Sequence, residues 1–163
     1  MRDLLDHAAR LGAQLKERGD TLAIAESSAG GLLCAVMLAV PGASSYFKGG
    51  AAVYTGAAKQ ILMGVSDQDM AAARAATPQH AEYLAQAARQ RLDATWGLGE
   101  TGAAGPTGNR YGDPAGHTCI GIAGPLIRSS TLATGQNDRW DNMVAFAGGA
   151  LNLLEKCLAT AKE

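Results

Sequence analysis

Leu4, Leu5, Ala8, Leu11 and Leu15 recur at helical spacing, which predicts an amphipathic helix closed by Gly19. The next apolar run, TLAIAE (21–26), does not alternate, as expected of a short strand covered on both faces. GLLCAVMLAV (31–40) predicts a helix stopped by Pro41 and Gly42. GGAAVYT (49–55) is a second strand candidate, and GAAKQILMGV (56–65) a short helix. A long helix is expected over 77–96, with Thr77 as N-cap and Pro78 at its first position. WGLGET (96–101) reads as a weak strand. The run from Gly102 to Gly116 is too rich in Gly and Pro for anything but a loop. HTCIGIAG (117–124) and SSTLATG (129–135) look like paired strands, and Asp138 caps a helix that continues to the end.

Helices and strands alternate without a composition break or repeat. The expected architecture is α/β, a three-layer α/β/α sandwich around a mixed central sheet, formed by residues 1–163 as a single domain. Ligands of such folds bind outside the carboxyl ends of the strands. The segments after Glu26 and after Thr101 are both placed there.

Composition narrows the function classes. The 163 residues are 47% hydrophobic and carry a formal net charge of −1, which argues against nucleic acid or a membrane surface as the partner. MRDLLDHAARL lacks the apolar core of a signal peptide, and no run has transmembrane length, so a cytoplasmic protein is expected. Cys34, Cys119 and Cys157 have no CxxC spacing and read as buried free thiols. His7, His80 and His117 are scattered, and no zinc-like pairing emerges; a site at His117 and Cys119, two apart on one strand face, is the disfavoured reading.

Two readings of AESSAGG (25–31) stand side by side. Ser27 or Ser28 caps the following helix, or Ser27 is presented for chemistry where helix N–H groups favour negative charge. The G-x-S-x-G elbow and the Walker A lysine are both absent. A serine nucleophile needs a base, and a desolvated lysine can serve. Lys59, flanked by Ala and Ile, is a candidate; the alternative is a surface helix lysine. Tyr54 could orient it. The small residues Gly102, Ala103, Ala104 and Gly105 would let main-chain N–H groups approach a ligand, and a bulky residue at Gly105 would block that approach. Arg139 could pair with a phosphate or simply stand in solvent, and Arg110 is a second cation nearby.

Taken together and in order, these motifs resemble the CinA C-terminal domain family, which includes stand-alone nicotinamide-nucleotide amidases. AESSAGG (25–31) is similar to the family's A-E-S-C-T-G-G, and PGASSYF (41–47) to its P-G-S-S-x-x-F. AVYTGAAK (52–59) is similar to V-T-Y-S-N-x-A-K, TGAAGP (101–106) to T-G-I-A-G-P, and NDR (137–139) to G-D-R. The resemblance implies a Ser/Lys amidohydrolase that converts nicotinamide mononucleotide to nicotinate mononucleotide and ammonia. It implies Ser27 as nucleophile, Lys59 as general base and Tyr54 in support. Ser44, Thr101 and Arg139 would join Gly102, Ala103 and Gly105 around the substrate.

No metal or organic cofactor is implied. The partner expected is a small-molecule nucleotide, with no nucleic acid and no membrane, in a homo-oligomer for which a dimer is the first candidate. The chain departs from the family pattern at Ser28, Ala29, Thr55 and Gly56, and WDNMVAF (140–146) replaces basic residues of the last helix. The alternative is a relative that binds a nucleotide or related small molecule without turnover, or one with a shifted substrate.

Overall fold

The computed structural model describes residues 1–161; Lys162 and Glu163, the tail of the predicted last helix, lie outside the described residues. The elements run α1 Arg2–Arg18, β1 Leu22–Glu26, α2 Leu32–Leu38, β2 Phe47–Ala52, α3 Gly56–Met63, α4 Asp67–Ala72, α5 Pro78–Arg91, β3 Trp96–Ala103, β4 His117–Ala123, β5 Ile127–Ala133 and α6 Arg139–Thr160. The strand order is β2-β1-β3-β4-β5. β1 pairs in parallel with β2 and β3, while β3–β4 and β4–β5 are antiparallel. The chain is therefore an α/β fold with a mixed five-stranded sheet.

Alternation along the central strands divides two cores. Leu22, Ile24, Trp96, Leu98, Ile120 and Ile122 face the layer of α1, α2 and α6, where they meet Leu11, Leu33, Phe146 and Leu154. Ala23 and Ala25 face the other layer and pack with Met63 of α3 and Leu84 and Ala88 of α5.

On that second face α5 lies unusually close to the sheet. A Cβ at Gly97 would stand 1.9 Å from the Ala85 carbonyl oxygen, and one at Gly99 would stand 2.1 Å from that of Ala81. Glycine is required here by approach, not by dihedral angles. The expected weak strand is the buried centre of the sheet, weak in sequence because glycines admit a helix backbone.

Several elements differ from the sequence pattern: α5 ends at Arg91 instead of running to Trp96, which opens β3. β3 continues to Ala103, so Gly102 and Ala103 are strand residues paired with Thr118 and His117 rather than loop. β2 starts at Phe47 and stops at Ala52, because Thr55 serves as N-cap of α3 and its Oγ1 accepts the Ala58 N–H at 3.1 Å. The short helix α4 was not expected; Ser66 caps it by accepting the Asp69 N–H at 3.0 Å.

Candidate active site

The parallel strands β1 and β2 end together at Glu26 and Ala52, and the buried Glu100 lies near the corresponding end of β3. Two fully buried carboxylates organise this edge. Glu26 turns toward α2, where its Oε2 accepts the Leu33 N–H at 3.1 Å and its Oε1 the Cys34 N–H at 2.9 Å. The helix has Gly31 at its N-cap and no side-chain cap of its own. A negative charge at orphan N–H groups is favourable on both hydrogen-bond and dipole grounds. Neither Ser27 nor Ser28 caps α2, and these two N–H groups are not free for an oxyanion or a phosphate.

Glu100 holds the turn that carries the serines. Its Oε2 accepts the N–H groups of Ser27 at 3.0 Å and Ala29 at 2.8 Å. Its Oε1 accepts the Ser28 hydroxyl and, at 2.6 Å, the Thr118 hydroxyl. Burial pushes the Glu100 carboxyl above its usual range, and these four hydrogen bonds oppose that shift.

Ser27 directly follows β1, two residues after Ala25, which packs against the α3/α5 layer. It is 7% exposed, shielded yet reachable. Lys59 is buried in the same layer, on α3. Its Nζ lies 3.0 Å from His80 Nε2 on α5, and His80 Nδ1 lies 2.9 Å from the Ala73 carbonyl oxygen. Burial lowers the Lys59 amine below the ordinary lysine range, while the Glu100 charge partly restores it. Burial and the neighbouring Lys59 charge lower His80 in turn. Among the described residues, no direct Ser27–Lys59 hydrogen bond and no carboxylate salt bridge to Lys59 is present.

Tyr54 stands elsewhere than expected. It is exposed, and its hydroxyl accepts from Arg139 Nη2 at 3.3 Å instead of orienting Lys59. Arg139 Nη1 also donates to the Gly105 carbonyl oxygen at 2.6 Å. These two side chains, with Ser28, Gly102, Ala103, Gly105, Thr107 and Asn109, line a cleft of about 200 Å³ beside the serine turn. A larger hollow of about 520 Å³, among α3, α4 and α5, is lined by Met63, Asp69, Tyr83 and Arg91 and contains none of the serines. Size alone therefore does not mark the site; the converging polar groups do.

The remaining candidates separate. Ser44 is exposed in a single 3₁₀ turn, Ala43–Ser45, just before β2, and so lies at the opposite end of the sheet from Ser27. About 16 Å of strand separates those ends at 3.3 Å per residue. Thr101 is buried and its Oγ1 accepts the Ala76 N–H at 3.1 Å, which fixes the segment before α5. Arg110 donates to the Tyr111 hydroxyl at 2.8 Å, beside Arg74 stacked on the same ring. His117 Nε2 and Cys119 Sγ both turn to the Ala76 carbonyl oxygen, at 3.0 and 3.5 Å.

Sequence reasoning passed over Glu100 and His80. Glu100 had a readable signal, a lone charge inside an apolar and Gly-rich strand. His80 had none, because its meeting with Lys59 depends on where α5 rests.

The site combines a strand-end serine turn, clamped by a buried carboxylate, with a desolvated lysine on an α/β scaffold. The fold is a three-layer α/β sandwich with a cleft beside the serine turn, lined by Ser28 rather than by Ser27 or Lys59. The profile of the CinA C-terminal domain matches residues 5–158, and the chain belongs to that family. A CinA-like protein of Synechococcus elongatus is 46% identical over 118 residues, 72% of this chain and 28% of the relative. One from an Anaeromyxobacter species is 40% identical over 148 residues, 90% of this chain and 36% of the relative. The chain thus spans about a third of the length of these curated relatives. The crystal structure of the competence/damage inducible protein CihA from Agrobacterium tumefaciens superposes with a TM-score of 0.87 at 26% identity, covering 96% of both chains. A competence-damaged protein superfamily member of Escherichia coli shares the fold at TM-score 0.88 and 24% identity, covering 94% of this chain and 90% of that one.

Proposed function

We propose that the chain is a Ser/Lys amidohydrolase acting on a carboxamide, with nicotinamide mononucleotide as the first substrate to test. The supporting observation is the buried Lys59 amine, held by the His80 imidazole in the layer against which Ala25, two residues before Ser27, packs. A carboxylate partner would keep that amine protonated. Burial without one favours the neutral form, which a general base needs.

In this reading neutral Lys59 takes the Ser27 hydroxyl proton as Oγ attacks the amide carbon. The proton passes to the departing nitrogen, and ammonia leaves. Water then cleaves the acyl-serine, giving the carboxylate product and free Ser27. Arg139 at the cleft rim would attract an anionic substrate, and Tyr54 would pack against it.

The second reading, a binding-only relative, draws on the Lys59 hydrogen bond running to His80 rather than to Ser27. Ammonia release from nicotinamide mononucleotide and a small carboxamide panel separates the two. Turnover that disappears in a folded Ser27→Ala protein supports the hydrolase. Saturable nucleotide binding without ammonia release supports the binding-only relative.

A further inference from the structure

His80 is 1% exposed and joins two elements of the site. The Ala73 carbonyl can only accept, so Nδ1 at 2.9 Å from it carries the proton. Nε2 then presents its lone pair to Lys59 Nζ at 3.0 Å. The tautomer is thus dictated by the loop before α5, and the imidazole is an acceptor toward the amine. A second proton on the ring would set an N–H against the amine and bury another charge. The placement is rigid because α5 sits on Gly97 and Gly99 and because Thr101 pins Ala76.

We propose that His80 is a positioning residue for Lys59, holding the amine through one N–H so that its lone pair is directed at the Ser27 hydroxyl; this role rests on the hydrolase reading above. A neutral amine has two N–H bonds and one lone pair. Donating one N–H to His80 cuts the staggered directions open to the lone pair from three to two. After proton transfer the ammonium keeps the same hydrogen bond, so nothing need reorganise as charge develops. An imidazole does this without the standing negative charge by which a carboxylate would lock the lysine protonated. The charged groups acting on the pair are Lys59 itself from α3 and Glu100 from β3. Arg74 and Asp113 pair with each other near the segment before α5 and oppose each other's charge.

The test uses the full chain, labelled for NMR at lysine Cε and histidine nitrogens. In the wild type His80 should remain the neutral Nδ1–H tautomer through neutral pH. In His80→Leu the Lys59 titration should move to lower pH, because an acceptor that favours the ammonium is gone. In kinetics, kcat should fall ten- to hundred-fold with KM changed less than twofold, and the basic-side rise of kcat/KM should follow the Lys59 titration. His80→Gln, whose side-chain carbonyl can accept the same N–H, should recover most of kcat and keeps the test open if the leucine variant does not fold. An unchanged Lys59 titration in a folded His80→Leu protein, or a kcat lowered more than tenfold in a folded His80→Gln protein, overturns the pairing. No turnover of any carboxamide by the wild type overturns the hydrolase reading and the positioning role with it, whatever the titration shows.

Discussion

Glu26 and Cys34 meet at the start of α2, where a carboxylate from the end of β1 accepts the Cys34 N–H at 2.9 Å. A strand residue thus caps the helix that follows its own turn, and the serine turn is held between the two. Glu26→Ala removes both hydrogen bonds to the helix start and leaves two N–H groups unpartnered. The expected loss is about 3 kcal/mol, since each bond to a charged group contributes roughly 1.5–3 and some solvent enters. Chemical denaturation measures it, and a loss below half a kcal/mol would show that α2 does not depend on this cap. Burial and the adjacent Glu26 also push the Cys34 thiol well above its ordinary range. Alkylation of Cys34 at pH 8 should accordingly be slower than that of a free cysteine.

Glu100 acts on the site at a distance as well as by contact. Its charge raises the Lys59 amine, which burial lowers. Glu100→Gln preserves the shape and can still accept the Ser27 and Ala29 N–H groups through its amide oxygen. The base limb of the activity profile should then shift to lower pH, because removing a nearby anion makes the ammonium easier to deprotonate. A shift to higher pH, with the fold intact, would contradict this placement of the charge.

Lys59→Met tests the desolvation of the amine by linkage. The folded Lys59 titrates below its unfolded value of about 10.5. Between those two values the unfolded chain binds more protons than the native one, so native stability rises with pH. The wild type should therefore gain on Lys59→Met as pH increases toward 10.5, by at most about 1.4 kcal/mol per pH unit. Denaturation midpoints of both proteins from pH 7 to 10.5 give the comparison. A constant difference across that range would mean that the amine is not desolvated.

Glycine substitutions should separate approach from binding. Gly99→Ala places a Cβ 2.1 Å from the Ala81 backbone oxygen, so α5 must lift from the sheet. A cost of about 3 kcal/mol is expected, the upper part of the range for overpacked cores. Gly105 differs in kind: its φ is +109° and a Cβ would stand 2.7 Å from the Asn137 carbonyl oxygen. A side chain there strains the backbone as well as crowding the cleft, so Gly105→Leu should lower stability along with ligand affinity, not affinity alone. Thermal melts with and without nucleotide distinguish the two contributions; an unaltered melting temperature would point to a purely steric block at the cleft.

Much of this architecture was legible in the chain. The amphipathic spacing of Leu4, Leu11 and Leu15 and the non-alternating LAIAE run announce a helix and a two-sided strand, because burial is written in local period. Thr77 and Pro78 mark the start of α5, because capping needs only neighbouring residues. Ser27 and Lys59 were named from motif order; both are buried, with no hydrogen bond between them. What the sequence could not fix was which atoms meet. Glu26 reaches seven and eight residues forward to α2, and Glu100 reaches back 73 to the Ser27 N–H. His80 meets Lys59 across 21 residues only because Gly97 and Gly99 let α5 settle on the sheet. The same topology sends Ser44 to the far end of β2 and turns Tyr54 out to Arg139. Local period and capping depend on adjacent residues and survive in one dimension. Hydrogen bonds between strands and layers depend on register and approach, which are set only when the whole sheet and its helices pack together.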